Sequence, residues 1–269
     1  MIIIKIGGGA AINLAGVADD LAELNQPCIL VHGANALRDQ LASDLGWQPT
    51  TITSASGYTS VLSDQRVIDL QMMAYAGLRN KRIVELCQQR GVNAVGLCGL
   101  DGRAVQGKRN RGIRVRTDGK LKIVRDESGK PKSVNHELLM LLVNHGYLPV
   151  ITVPIVDEQG AAINSENDDV VAVMAKALAA TTIVQLIEAP GFLEDVSDPR
   201  SVIKEISPAN LQQREAEVEG RMKRKLHALN QLFENGAATV LISDGRVDHP
   251  IRAALDHAGT VIQSTPQQT

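Results

Sequence analysis

MIIIKIGGGA, residues 1–10, joins an apolar run at Ile2–Ile6 to three consecutive glycines, with Lys5 set into the run just before them. The run reads as a strand. The Lys5–Gly9 junction exposes backbone N–H groups at close range to an anion, and the lysine adds a full positive charge, so it reads as a polyphosphate cradle. The same glycines also suit an ordinary turn that needs positive φ. Neither GxxxxGKS/T nor GxGxxG follows the strand, which excludes a Walker loop and the dinucleotide fingerprint.

Outward from this strand, similar runs at Cys28–Val31, Ala94–Leu97, Leu148–Val153, Thr182–Ile187 and Thr239–Ile242 alternate with helix-like segments. That rhythm predicts an open α/β sheet with helices on both faces and a functional site at the strands' carboxyl ends. Helices are expected from Asn13 toward Leu24, from about Ala34 to Leu45, and from an N-cap at Ser63 past Tyr75. Gly77 reads as a break, a further helix runs to Gly91, and the polar tail STPQQT is expected to fray.

A second basic junction lies in EGRMKRKLHALNQLFENG, residues 219–236. Met222, Leu226, Leu229, Leu232 and Phe233 recur at helical spacing, Gly236 is a stop, and the helix is expected to begin near Arg221. Its first turns carry Arg221, Lys223, Arg224 and Lys225, against the preference of the helix dipole for negative charge. Either a bound phosphate supplies the missing charge, or the face is solvated and tolerated by Glu215, Glu217 and Glu219.

With 269 residues and 44% hydrophobic content, the chain can bury a core as one large domain or two lobes. No apolar run spans a bilayer and the first strand is too short for a signal peptide, so a soluble cytoplasmic protein is expected. Cys28, Cys87 and Cys98 are odd in number, lack metal-ligand spacing and read as reduced core residues. A net charge of −2 and 2% aromatic content argue against nucleic-acid binding.

Residues 101–132 interrupt the rhythm with eleven Lys or Arg against four Asp or Glu, a local charge of +7. IRVR and LKIV flank TDGK, a hairpin signal. A two-residue Asp118–Gly119 loop would mix polar and apolar side chains on both faces. A loop longer by one residue pairs Thr117 with Leu121, Val115 with Ile123 and Arg116 with Lys122, giving one apolar and one basic face, and is the expected register. The basic face is either solvated or binds an acidic partner.

KIGGG, VHGAN, INSENDDVVAVMA, IEAPGFL, EGRMKRK and SDGRVDHPI follow one another in this order over almost the whole chain. Together they resemble the amino acid kinase family, specifically acetylglutamate kinases and their relatives that act on aminoadipate or glutamate attached to an amino-group carrier protein. The resemblance implies a three-layer α/β/α sandwich with an open, mostly parallel sheet, formed by a single kinase domain over residues 1–269. Its N-lobe, about 1–175, would take the acyl substrate and its C-lobe, about 176–269, would take ATP, with Mg2+ arriving on the nucleotide and no metal site of its own.

By position, the resemblance makes Lys5 and Lys225 the two lysines at the transferring phosphoryl group, with Lys223 and Arg224 as alternatives to Lys225. Asp168 would hold the lysines in place; in isolation it is also an ordinary helix N-terminal acid, as is Asp169. Gly33, Ala34, Thr59, Val61 and Asn164 fall at substrate-binding positions, and Gly7, Gly8, Glu188, Gly191 and Phe192 at phosphate- or nucleotide-binding positions.

Three residues depart from the pattern. Ala34 stands where relatives carry a second glycine, and Val61 where they carry an arginine that grips the substrate's α-carboxylate, a contact neither Val61 nor Thr59 reproduces. Arg66 would reach that place only if the helix start is shifted. Glu166 stands where acetylglutamate kinases have asparagine and carrier-linked enzymes often have aspartate. The GRMKRK form and the basic segment resemble the carrier-linked kinases of lysine and arginine biosynthesis, whose partner is a small acidic protein. An N-acetylglutamate kinase acting on a small N-acylated amino acid is the alternative, and a non-catalytic small-molecule sensor is another. A homodimer is expected, with neither nucleic acid nor membrane as partner.

Overall fold

The computed structural model describes residues 1–54, 59–117, 120–217, 220–237 and 239–263, without the side chains of residues 59–60, 116–117 and 220–225. The strand of the opening decapeptide, β1 (Ile2–Ile6), lies in the middle of an eight-stranded sheet. On one side follow β2 (Cys28–His32), β10 (Leu148–Thr152) and β5 (Ala94–Cys98); on the other β13 (Thr182–Ile187), β15 (Thr239–Asp244), β16 (Thr260–Gln263) and β14 (Glu205–Ile206). All neighbours run parallel except β15 and β16, so the last two strands oppose the rest.

Both faces of the sheet are covered, which is why its strands are apolar at successive positions. Ile4 and Ile6 pack with α1 (Leu14–Glu23), α4 (Asn80–Gln88) and α9 (Pro250–Leu255). Ile3 packs on the opposite face, with α5 (His136–Asn144), α6 (Asn167–Ala177), α7 (Pro208–Glu217) and α8 (Gly220–Glu234). The expected three-layer α/β/α sandwich is the architecture observed. No described helix is long and apolar enough to cross a membrane.

β1 has β2 on one side and β13 on the other, so the strand order reverses at β1 and a crevice opens at its carboxyl end. A smaller sheet of β12 (Ala162–Ile163), β11 (Ile155–Val156), β6 (Val105–Arg109) and β9 (Gly129–Val134) flanks that end. Two ribbons accompany it: β3 (Thr51–Thr53) with β4 (Thr59–Val61), and β7 (Ile113–Thr117) with β8 (Lys120–Val124).

Three expectations are corrected. The N-cap of α3 (Gln65–Gln71) is Asp64, whose carboxylate accepts from Val67 N at 2.9 Å, whereas Ser63 is buried and its hydroxyl accepts from Asn164. Gly77 does not break the helix: α3 widens into a π-helix over Met72–Arg79 that passes through it and continues as α4. A glycine interrupts only where the backbone leaves helical space, and the wider turn keeps it inside.

The third concerns the basic hairpin, where Thr117 pairs with Lys120, Arg116 with Leu121 and Arg114 with Ile123, the register of a two-residue loop. The expected register would have set Arg116 opposite Lys122, and like charges directly across a ladder repel. The observed one faces each arginine with an apolar residue. Val115 is buried, bridging to Ser54, while Leu121 and Ile123 are left 57% and 71% exposed. Asp118, Gly119 and the tail STPQQT lie outside the described residues.

Candidate active site

Alternation along β1 puts Lys5 on the same face as Ile3, toward α6, one residue short of the strand's end. There its ammonium meets the carboxylate of Asp168 at 2.9 Å, with the lysine side chain 13% exposed and the aspartate 31%. Asp168 and Asp169 lie in the first turn of α6, where the helix dipole favours negative charge. Asp169 is bound by Lys130 of β9 at 2.6 Å, which ties the smaller sheet to the same helix.

After β1 the chain enters Gly7–Gly9 and crosses the loop after β2 at backbone contact distance. Gly33 N donates to Ile6 O and Ala36 N to Gly8 O, both at 3.0 Å. A Cβ on Gly8 would come within 2.6 Å of Asn35 N, which bars a side chain there, and one on Gly33 would stand 3.0 Å from the Gly8 backbone, a crowded approach. The amides of Gly8, Gly9 and Ala10 form no hydrogen bond to any described residue. A loop with free amides beside a held lysine suits an anion rather than a cation.

Sequence reading missed the groups that brace these loops, and all come from the π-helix and its continuation. The Tyr75 hydroxyl donates to the Asn35 side chain, Arg79 donates to the carbonyls of Gly7 and Gly9, and Asn80 contacts the His32 ring. His32 is fully buried, with Nδ1 3.2 Å from Gly33 O and Nε2 3.1 Å from Asn80 Nδ2. With Asn80 donating, Nδ1 carries the proton and the ring is neutral. Burial pushes its pKa down to about 3. The one available signal was a charged Arg79 in the otherwise apolar run MMAYAGLR.

Asn164, partly exposed, sits in the middle of a polar chain. Gln71 Nε2 donates to its Oδ1 at 2.5 Å, its Nδ2 donates to Ser63 Oγ at 2.9 Å, and Ser63 N donates to Asp126 at 2.8 Å. Glu188 accepts from Ala11 N at 2.6 Å. Gly191 and Phe192 are set by Thr260 of β16: Phe192 N donates to its hydroxyl at 2.8 Å, and a Cβ on Gly191 would stand 2.8 Å from the same oxygen. The structure thus brings Lys5, Asp168, Gly7, Gly8 and Gly33 together, with Glu188 against Gly9.

The sequence profile of the amino acid kinase family matches residues 1–244. The chain belongs to the amino acid kinase family. It is similar to a protein of Thermus thermophilus named LysW-aminoadipate kinase, 39% identical over 98% of this chain and all of that one. It is 40% identical, over 97% of this chain and 91% of the other, to a protein of Deinococcus radiodurans with the same name. Among solved structures it resembles N-acetylglutamate synthase from Neisseria gonorrhoeae, with a TM-score of 0.78 at 19% identity, covering 98% of this chain and 59% of that one; this likeness concerns the fold.

Ala34 is completely buried in the core at the start of α2 (Asn35–Asp44). Val61 is half-buried on β4 opposite Thr51, and the side chain of Thr59 on the same strand lies outside the described residues. Although the helix starts later than Ser63, Arg66 is exposed. Glu166 precedes α6 and is exposed. Lys225, with Arg221, Lys223 and Arg224, lies in the first turns of α8, where the side chains are outside the described residues.

Proposed function

We propose that this protein is an ATP-dependent kinase that phosphorylates the side-chain carboxylate of an amino-blocked acidic amino acid, 2-aminoadipate or glutamate, carried by a small acidic protein through its amino group. The observation that carries this reading is the Lys5–Asp168 ion pair at the carboxyl end of the central strand, beside a glycine loop with free amides. Both reactants are anions, and negative charge spreads over several oxygens as the phosphoryl group moves. Donors fixed in advance stabilise that charge without reorganising.

In this reading the acceptor carboxylate is ionised at neutral pH and needs no general base. Its oxygen bonds to the γ-phosphorus as the bond to the bridging oxygen of ADP breaks. Lys5 neutralises charge on the acceptor side, Asp168 fixes its ammonium, the amides of Gly8 and its neighbours hold phosphate oxygens, and Lys225 acts from the nucleotide side. Asp168 is already paired with Lys5 and the loop offers N–H donors, so Mg2+ enters on the nucleotide. Gly191 and Phe192 border the nucleotide.

Two further features support a carrier protein. The relatives from Thermus and Deinococcus are named for a LysW-linked aminoadipate. The β7–β8 hairpin presents Arg114, Lys120, Lys122 and Arg125 to solvent, a surface that would steer an acidic partner. We propose a homodimer, in keeping with the exposed Met73 and Leu78 on the π-helix.

The test is hydroxamate trapping of the acyl phosphate with ATP and a panel of carrier-linked aminoadipate, carrier-linked glutamate, acetylaminoadipate and acetylglutamate. Product from carrier-linked substrates that falls in moderate salt supports the reading. Strong turnover of free acetylglutamate would instead make this an acetylglutamate kinase. No product from any of them would leave a non-catalytic sensor, the reading that Ala34, Val61 and Glu166 favour.

A further inference from the structure

The glycine loop is gripped from two sides by opposite charges that the proposed reaction does not use. Arg79, 8% exposed at the end of the π-helix, donates from Nη1 to Gly9 O at 3.2 Å and from Nη2 to Gly7 O at 3.3 Å. Its Nε is buried with no hydrogen-bond partner among the described residues, so the hydrogen bonds of this guanidinium to described residues all go to the loop. On the other side Glu188, just past β13, accepts from Ala11 N at 2.6 Å. Its carboxylate occupies the volume beside Gly9, where a Cβ would lie 2.0 Å from the Glu188 carboxyl carbon. Glu188 also attracts Arg79, offsetting part of the cost of burying the guanidinium, and it attracts Arg246 beyond β15.

The consequence follows from peptide planarity. In a trans peptide the C=O and the following N–H point in opposite directions. With the carbonyls of Gly7 and Gly9 turned to Arg79, the amides of Gly8 and Ala10 are both turned away from it. The carbonyl between them, Gly8 O, is held the other way by Ala36 N. Three adjacent glycines have the greatest backbone freedom of any tripeptide and lose the most on being fixed. Left to itself this loop would not keep two amides aligned.

We propose that Arg79 and Glu188 form a latch that fixes the backbone of residues 7–11 and so aims the amides of Gly8 and Ala10 at the transferring phosphoryl group. Both are positioning residues, since neither touches a reacting atom. The inference rests on reading the loop as a phosphate cradle, and it assigns the carboxylate of Glu188 to the loop instead of to the nucleotide, which it would repel.

Two readouts test it, on wild type, Arg79→Ala, Arg79→Lys and Glu188→Gln. Hydrogen exchange of the peptide spanning residues 7–12 is expected to speed up in Arg79→Ala and Glu188→Gln, with the β5 peptide unchanged. Turnover in Arg79→Ala is expected to fall about 100-fold, the scale of a 1 Å misplacement, with KM moving less than about threefold. Arg79→Lys, reaching one carbonyl, should fall in between, and methylguanidinium should restore turnover to Arg79→Ala alone. A folded Arg79→Ala with wild-type exchange and wild-type turnover would overturn the latch. Should that variant not fold, Arg79→Lys decides by the same readouts. A wild type without phosphoryl transfer would refute the functional reading, while exchange would still decide the latch.

Discussion

Lys5 is a cation on a strand otherwise made of isoleucine, and what makes it tolerable there is Asp168 at 2.9 Å. The pair is half-open to solvent on the aspartate side, so its worth lies in aiming the ammonium more than in stability. Asp168→Asn keeps the shape and removes the charge. Its kcat is expected to drop at least tenfold while the unfolding midpoint moves little, because charge on the aspartate orients Lys5; unchanged kcat would remove Asp168 from the mechanism. His32 governs a different property. Its folded pKa of about 3 lies below its ordinary 6.5, so as pH falls below 6.5 the unfolded chain binds a proton that the folded one refuses. Stability is therefore full above pH 6.5 and is lost toward pH 3, at about 1.4 kcal/mol per pH unit from this group. Denaturant titrations at pH 7 and pH 5 should show a shallower loss in a His32→Gln variant than in wild type, and parallel losses would contradict this. Cys28 and Cys87, pushed up by burial to about 12 and about 11, stay protonated thiols at neutral pH.

The π-helix shows where reading the sequence stops. MMAYAGLR contains a glycine, and a glycine in a helical pattern is a fair stop signal, yet the turn widens and keeps going. That widening sets Tyr75, Arg79 and Asn80 against the two glycine loops, and no periodicity of side chains reports on such a change of phase. The hairpin failed to be legible for another reason: sorting apolar from basic side chains gave one register, whereas avoiding Arg116 opposite Lys122 selected the other. Its exposed cations, Arg114 on one face and Lys122 on the other, carry a prediction. Replacing Arg114 and Lys122 by Ala should slow association with an acidic carrier and flatten the salt dependence of turnover, leaving folding intact, as rim charges act on encounter rates; an unaltered salt profile would place the carrier elsewhere. Helix α9 depends on α1 through Asp20, a buried carboxylate that accepts from Ile251 N, Arg252 N and His249. Asp20→Ala leaves those donors unmet and is expected to destabilise the fold by about 1–3 kcal/mol in denaturant unfolding.

The sheet was the most legible feature, because strands buried on both faces must be largely apolar at successive residues, and Ile2–Ile6, Thr182–Ile187 and Leu148–Val153 are, apart from Lys5, Gln185 and the threonines. The antiparallel β16, TVIQ, escaped notice because four residues near the end carry no such run. Of the site, the residues fixed by backbone geometry could be read: Gly8 admits no Cβ, Gly33 leaves little room for one, and Lys5 precedes the turn. Arg79 and His32 could not, since their roles depend on which loops the sheet order brings beside them. That order sets β1 between β2 and β13 and so gathers the glycine loops, Lys5 and the start of α6 at one crevice. In the proposed reaction Lys5 acts on the moving phosphoryl group. Lys5→Met should be assayed for single-turnover phosphoryl transfer beside ATP binding: the expected result is transfer slowed about 100-fold or more with ATP affinity within about threefold, and transfer at the wild-type rate in a folded variant would contradict it.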